Sequence, residues 1–215
     1  MKILTKSKQM TTVFHVGFLN IKKPTRGNSK PGMSLEGNGL SVSHHPDEWT
    51  KIARLGGSET YVLTKSSPNF FMAVESGDKE SIRWCIKEGY LVPKKKYRAY
   101  STDEDGEEHF FELDSKKEAE QESDDVRIVN GYSFGLKGIN YWRENFSSKV
   151  DNSMAASFAA IFFAEAHGYD GVWWNEILKV SLLSAPRGVI FQHKLSEWKI
   201  ELIKPKNKRP DLNSP

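Results

Sequence analysis

The chain has one cysteine, Cys85, so no intramolecular disulfide braces it, and the cysteine clusters of zinc ribbons and iron–sulfur proteins are excluded. That usage fits a reducing compartment, and we read the protein as cytoplasmic. No stretch approaches the roughly 18 apolar residues of a membrane-spanning helix. The basic start, Met1-Lys-Ile-Leu-Thr-Lys-Ser-Lys8, is not followed by the apolar run of a signal peptide. A membrane partner is therefore not expected. Excess charge is also small: 31 Lys and Arg against 28 Asp and Glu give +3, which permits a polyanionic partner without demanding one. Aliphatic residues are sparse and rings plentiful, with 12% aromatic in a hydrophobic total of 38%, which points to a loop-rich α+β protein rather than a helical bundle.

Several signatures of common chemistries are missing. There is no Gly-x-x-x-x-Gly-Lys-Ser/Thr, no Gly-x-Gly-x-x-Gly opening a βαβ unit, no Gly-x-Ser-x-Gly elbow and no His-Glu-x-x-His. The usual phosphate-loop, serine-hydrolase and zinc-protease readings fall with them. Cys85 is predicted on the inward face of a short helix beside Ile86, a position for an inert thiol rather than a nucleophile.

The stretch His167-Gly-Tyr-Asp-Gly-Val-Trp-Trp-Asn-Glu176 follows the most apolar helix candidate. It reads as a helix stop, a tight turn, a strand with two rings and an acid at the strand's far end. The helix, residues 151–168, opens on cap residues, is apolar almost all round and belongs in an interior. Alternation along the strand sends Trp173 and Trp174 to opposite faces, one toward the core and one toward a cleft.

Taken in order, Thr11 to Phe18 reads as a first strand carrying His15, and Lys22 to Met33 as a basic loop whose Lys22, Lys23, Arg26 and Lys30 suit either solvent or phosphates. Gly37-Asn-Gly-Leu-Ser-Val-Ser43 is a turn leading into a strand. Ser41 and Ser43 share a face that is expected to be polar and accessible. At His44-His45-Pro46-Asp47-Glu48-Trp49 the helix-start chemistry is strong, and capping describes these residues better than a metal site, since no His-x-x-x-His pair is present. Strands are predicted at 60–64 and 69–74 and a helix at 79–87. The charged stretch 94–127, with a hairpin and a soluble helix at 115–121, reads as an insertion into a single domain spanning 1–204, with a flexible basic tail at 205–215. Further strands are predicted at 188–191 and 198–203.

The ordered set of Phe14-His15-Val-Gly17, Gly37-Asn-Gly39-Leu-Ser41-Val-Ser43 with Trp49 after it, and the Gly168-Tyr-Asp-Gly-Val strand followed by Val189-Ile-Phe191 resembles the ADP-ribosyltransferase superfamily, in its His-Tyr-Glu form. The resemblance spans most of the chain outside 94–127 and rests on order and spacing. It implies a split, mostly antiparallel sheet flanked by helices. It also implies NAD as substrate, with His15, Gly17, Ser41, Ser43 and a stacking ring (Trp49, or Tyr61) around it. The chain departs from the pattern in three places: His15 and Gly17 are not adjacent, Ser41 stands where Tyr is common, and Pro186-Arg187-Gly188 stands where the catalytic Glu often falls. The acid then has to be Glu176, and Arg187 becomes a phosphate or substrate contact.

This set has a physical logic of its own. Cleaving the nicotinamide glycosidic bond passes through an oxocarbenium-like ribose, which one carboxylate stabilises while orienting an acceptor. Rings clamp nicotinamide, His binds a ribose hydroxyl and Arg meets pyrophosphate, and no metal is required. Each residue also has a plainer reading: His15 as a strand-end cap, Trp49 as core beside Ile52, the serines as turn-satisfying hydroxyls, Arg187 as a surface ion-pair partner. The expected activity is mono-ADP-ribosylation of a protein or nucleic acid by a toxin, effector or phage-defence enzyme, with a cognate inhibitor or antitoxin as a possible companion. The rivals are a catalytically silent nucleotide-binding module and a nucleic-acid-binding protein that stacks bases on exposed rings.

Overall fold

The computed structural model describes residues 7–8, 11–17, 19, 39–52, 58–73, 79–103, 106, 108–146, 149–174 and 187–204. It is an α+β chain with a mostly antiparallel sheet and several helices, as expected. The chain divides into two compact units: residues 1–75 with 163–215, and residues 76–162. The charged stretch 94–127 lies inside the second unit. No helix among the described residues is long and apolar enough to cross a membrane.

The first unit is built on an eight-stranded sheet. Its strands are β1 (Ser7–Lys8), β2 (Thr12–Val16), β3 (Gly39–Ser43), β4 (Thr60–Thr64), β5 (Phe70–Ala73), β9 (Gly171–Trp174), β10 (Arg187–Phe191) and β11 (Lys199–Lys204). They lie in the order β1-β5-β9-β10-β3-β2-β4-β11, and only β5 and β9 run parallel. Val13, Leu40, Val42, Leu63, Phe70, Trp173, Ile190, Leu195 and Trp198 form one core on this sheet. On the opposite face Phe71 packs against Phe163 and Tyr169.

The central strands are therefore covered on both sides, which corrects the expected division of the tryptophans: Trp173 and Trp174 are each only 1% exposed. Two glycines make the close packing possible. A methyl at Gly171 would collide with the Val189 carbonyl oxygen, and one at Gly188 with the Trp173 ring. Each glycine thus lets a neighbouring strand or ring sit where a side chain would stand.

The second unit holds α2 (Lys79–Glu88), β6 (Leu91–Thr102), β7 (Glu108–Leu113), α3 (Lys116–Glu122), β8 (Asp125–Phe134), α4 (Leu136–Asn145) and most of α5 (Ala155–Ala166), with β6 between β7 and β8 in an antiparallel sheet. The residues predicted as one helix over 151–168 form a 3-10 turn at Asn152–Met154 and then α5. Asp151 caps that turn by accepting the Ser153 N–H at 2.9 Å. Cys85, Leu91, Phe134, Trp142, Phe158 and Phe162 are among the residues of this unit's core. The Cys85 thiol donates to the Ala159 carbonyl at 3.5 Å, and burial pushes it up to about 12.

Candidate functional site

Four separate motif-bearing segments become neighbours in the first unit's sheet. The Gly-Val-Trp-Trp strand β9, the Val-Ile-Phe strand β10, the Gly-Leu-Ser-Val-Ser strand β3 and the His15 strand β2 stand side by side in that order. The register is explicit at the centre: Arg187 faces both Ser43 and Trp174, and Phe14 faces Ser43.

That register divides the predicted residues between two faces. Phe14 is level with Ser43, so His15, the next residue along β2, lies on the other side of the sheet. His15 faces Tyr61 on β4, and their ring centroids are 6.2 Å apart. Val13 and Leu63, which share the His15 and Tyr61 face, belong to the core with Leu40 and Val42. Ser41, Ser43 and the Arg187 backbone position belong to the opposite face. The expected accessible serine face is corrected at Ser43, while Ser41 is half-buried. Ser43 is 1% exposed, and its Oγ accepts the His45 N–H at 3.0 Å, so its hydroxyl serves the turn into α1 (Pro46–Ile52).

His15 is 8% exposed, with Nδ1 2.8 Å from the Ser41 carbonyl oxygen. Ser41 thus meets His15 through its backbone rather than its hydroxyl. Gly17 sits directly after β2 with φ of 132°, a conformation that favours glycine, and its N–H donates to the Glu59 carbonyl at 2.9 Å. Tyr61 donates its phenol to Glu59 Oε2 at 2.6 Å. That bond, burial and the carboxylate's charge together raise the Tyr61 phenol above its ordinary value. Glu59 was not singled out from the sequence, because a lone acid ahead of a short strand carries no motif. The His44 ring packs on Trp173 at 4.6 Å.

Glu176 and Pro186 lie outside the described residues, as do Lys22 to Met33 and Gly37. Trp49 lies in α1 and Arg187 opens β10, but their side chains are likewise outside them. A cleft of about 510 Å³, lined by Thr11, Thr12, Thr64, Lys65, Ser66, Glu197 and Lys199, lies at the end of β2 and β4 remote from Gly17 and contains none of the predicted residues.

No family model, curated protein or solved structure matches the chain.

Proposed function

We propose that the protein is a mono-ADP-ribosyltransferase of toxin, effector or phage-defence type, related to the ADP-ribosyltransferase superfamily, that transfers ADP-ribose from NAD to a protein or nucleic acid. The observation that carries this reading is the adjacency of β9, β10, β3 and β2, strands drawn from residues 12–16, 39–43, 171–174 and 187–191. Motifs linked in sequence only by order stand on adjacent strands of one sheet, which supports the reading even though their side chains divide between its two faces.

The described residues fit NAD in part. His15, Tyr61 and Glu59 gather an imidazole, a phenol and a carboxylate at one end of β2 and β4, suited to ribose hydroxyls and a ring face. Bound NAD supplies a glycosidic bond whose cleavage leaves positive charge on the ribose. In this reading Glu176 stabilises that charge and orients the acceptor nucleophile, whose proton it takes as the new bond forms. His15 positions a ribose hydroxyl, Trp49 is the stacking ring and Arg187 meets phosphate. No metal enters the scheme. A cognate inhibitor fits the toxin setting.

Incubation of a lysate with labelled NAD tests the reading: wild-type protein labels a macromolecule and releases nicotinamide, and Glu176→Gln abolishes both. Unchanged activity in that variant removes Glu176 from the role. The division of His15 and Tyr61 from Ser43 and Arg187 across two faces favours one second reading, a catalytically silent nucleotide-binding module, which binds NAD without turnover.

A further inference from the structure

At the end of β2 and β4 nearest Gly17, three side chains of different chemistry are tied together. Tyr61 stands level with His15 across the strands, with its ring 6.2 Å away. Its O–H donates to Glu59 Oε2 at 2.6 Å. The Gly17 N–H holds the Glu59 main chain at 2.9 Å, so the acid cannot drift from the end of the His15 strand. The Tyr61 ring is itself seated against the core that includes Val13 and Leu63, which fixes the donor that orients the carboxylate.

A carboxylate has about four acceptor positions on its two oxygens, so one phenol leaves Glu59 able to accept further hydroxyl protons. Glu59 is half-buried, so such bonds form in a partly dehydrated setting where charge-assisted hydrogen bonds are strong. Two adjacent O–H donors meeting the oxygens of one oriented carboxylate is the geometry of a vicinal diol, and acids recognise ribose in this way at other dinucleotide sites.

We propose that Glu59, oriented by Tyr61 beside His15, is a ribose-diol subsite, with Glu59 accepting hydroxyl protons from one ribose of NAD. This rests on the NAD reading above and adds to it a residue that selects ribose over deoxyribose. No bond is made or broken at this subsite.

Calorimetric titration of the full chain tests it, with wild type, Glu59→Gln and Tyr61→Phe each titrated with NAD and with NAD analogues lacking the 2′-hydroxyl of one ribose or the other. Thermal unfolding of each variant monitors the fold. The Gln variant is expected to bind NAD about tenfold or more weakly, the worth of a hydrogen bond to a charged group, while its affinity for one of the two analogues changes far less. Tyr61→Phe should show the same selective loss, about threefold, from the disordered carboxylate. The subsite is overturned if Glu59→Gln binds NAD as wild type does, or loses affinity equally for NAD and both analogues. Should the Gln variant fail to fold, Tyr61→Phe decides: undiminished preference for NAD over both analogues overturns the subsite. Wild-type protein that binds no NAD overturns the enzymatic reading and the subsite together, whereas binding that is indifferent to Glu59 removes the subsite alone.

Discussion

The His15 ring is pinned by the main chain of Ser41: Nδ1 lies 2.8 Å from that carbonyl oxygen. A carbonyl only accepts, so the contact requires the proton on Nδ1, and in the neutral ring Nε2 is then the unprotonated nitrogen. Long-range nitrogen–proton NMR correlation on labelled protein should show the Nδ1–H tautomer for His15 in the neutral ring. A dominant Nε2–H form would remove this side-chain tie between β2 and β3, which would then be joined by strand pairing alone.

Asp170 is expected to be the costliest polar residue of the first unit to lose. It is 4% exposed, and its Oδ1 accepts from Lys65 Nζ at 2.6 Å while Oδ2 accepts the Asn69 N–H at 2.7 Å. Its backbone adds a bond to the Asn69 carbonyl and one from the Phe191 N–H, so the residue fastens the starts of β5 and β9 and the end of β10. Asp170→Ala should lower unfolding free energy by about 2–4 kcal/mol in urea titrations, and Asp170→Asn by roughly half as much, because the amide oxygen keeps the Asn69 bond. A loss near zero for the alanine variant contradicts this role.

Cys85 should be silent toward thiol reagents in the folded protein. Its side chain is fully buried and burial pushes the thiol up to about 12, so thiolate and access are both lacking near neutral pH. Ellman's reagent should leave it unmodified in buffer and label one equivalent after denaturation. Rapid labelling without denaturant would mean that the second unit opens locally.

Acid sensitivity in the second unit is expected to involve Asp114. Burial pushes its carboxyl up, but the hydrogen bond and charge of Lys96 and the charge of Lys94 outweigh it, and the net position is below the ordinary carboxylate value. A lowered folded-state pKa means stabilisation that is complete above the unfolded range, about pH 4, and is lost as pH falls through the folded value. Asp114→Asn should flatten the stability profile in that acid window and reduce stability at neutral pH, since the Lys96 side chain is 3% exposed and loses its ionic partner. Parallel acid-unfolding curves for the two proteins contradict the assignment.

Much of the fold was legible where local chemistry was strong. Pro46, Asp47 and Glu48 announce α1, and the segments Tyr97-Arg-Ala-Tyr100, Asp103-Glu-Asp-Gly106 and Phe110-Phe-Glu-Leu113 announce the β6–β7 hairpin. β8 and α4 went unread for physical reasons. β8 mixes exposed and half-buried residues along most of its length, so its period of two is blurred. α4 starts from Gly135 without a side-chain cap and carries Gly138 inside, so the usual start signal is absent and an unfavourable helix residue is present.

The site was less legible because faces are set by long-range register. Ser43 looks like a partner for His15 until Phe14, level with Ser43, sends His15 to the other face. One of Trp173 and Trp174 looks cleft-lining until both prove buried. Glu59 gains meaning only from the Tyr61 phenol that points at it.

The parallel pairing of β5 with β9 has a consequence for how the protein is made. Strands at 12–16, 39–43, 60–64 and 70–73 leave the ribosome well before β9 and β10, which lie between β5 and β3 in the sheet but are encoded at 171–174 and 187–191. The second unit, contiguous over 76–162, is synthesised whole in the interval. Closing so long a loop is entropically slow, so the middle of the first sheet sets only after β9 and β10 have emerged, well after β2 to β5. A translation product that stops short of β10 cannot bring the four motif-bearing strands together, which ties any activity of this sheet to the emergence of β10.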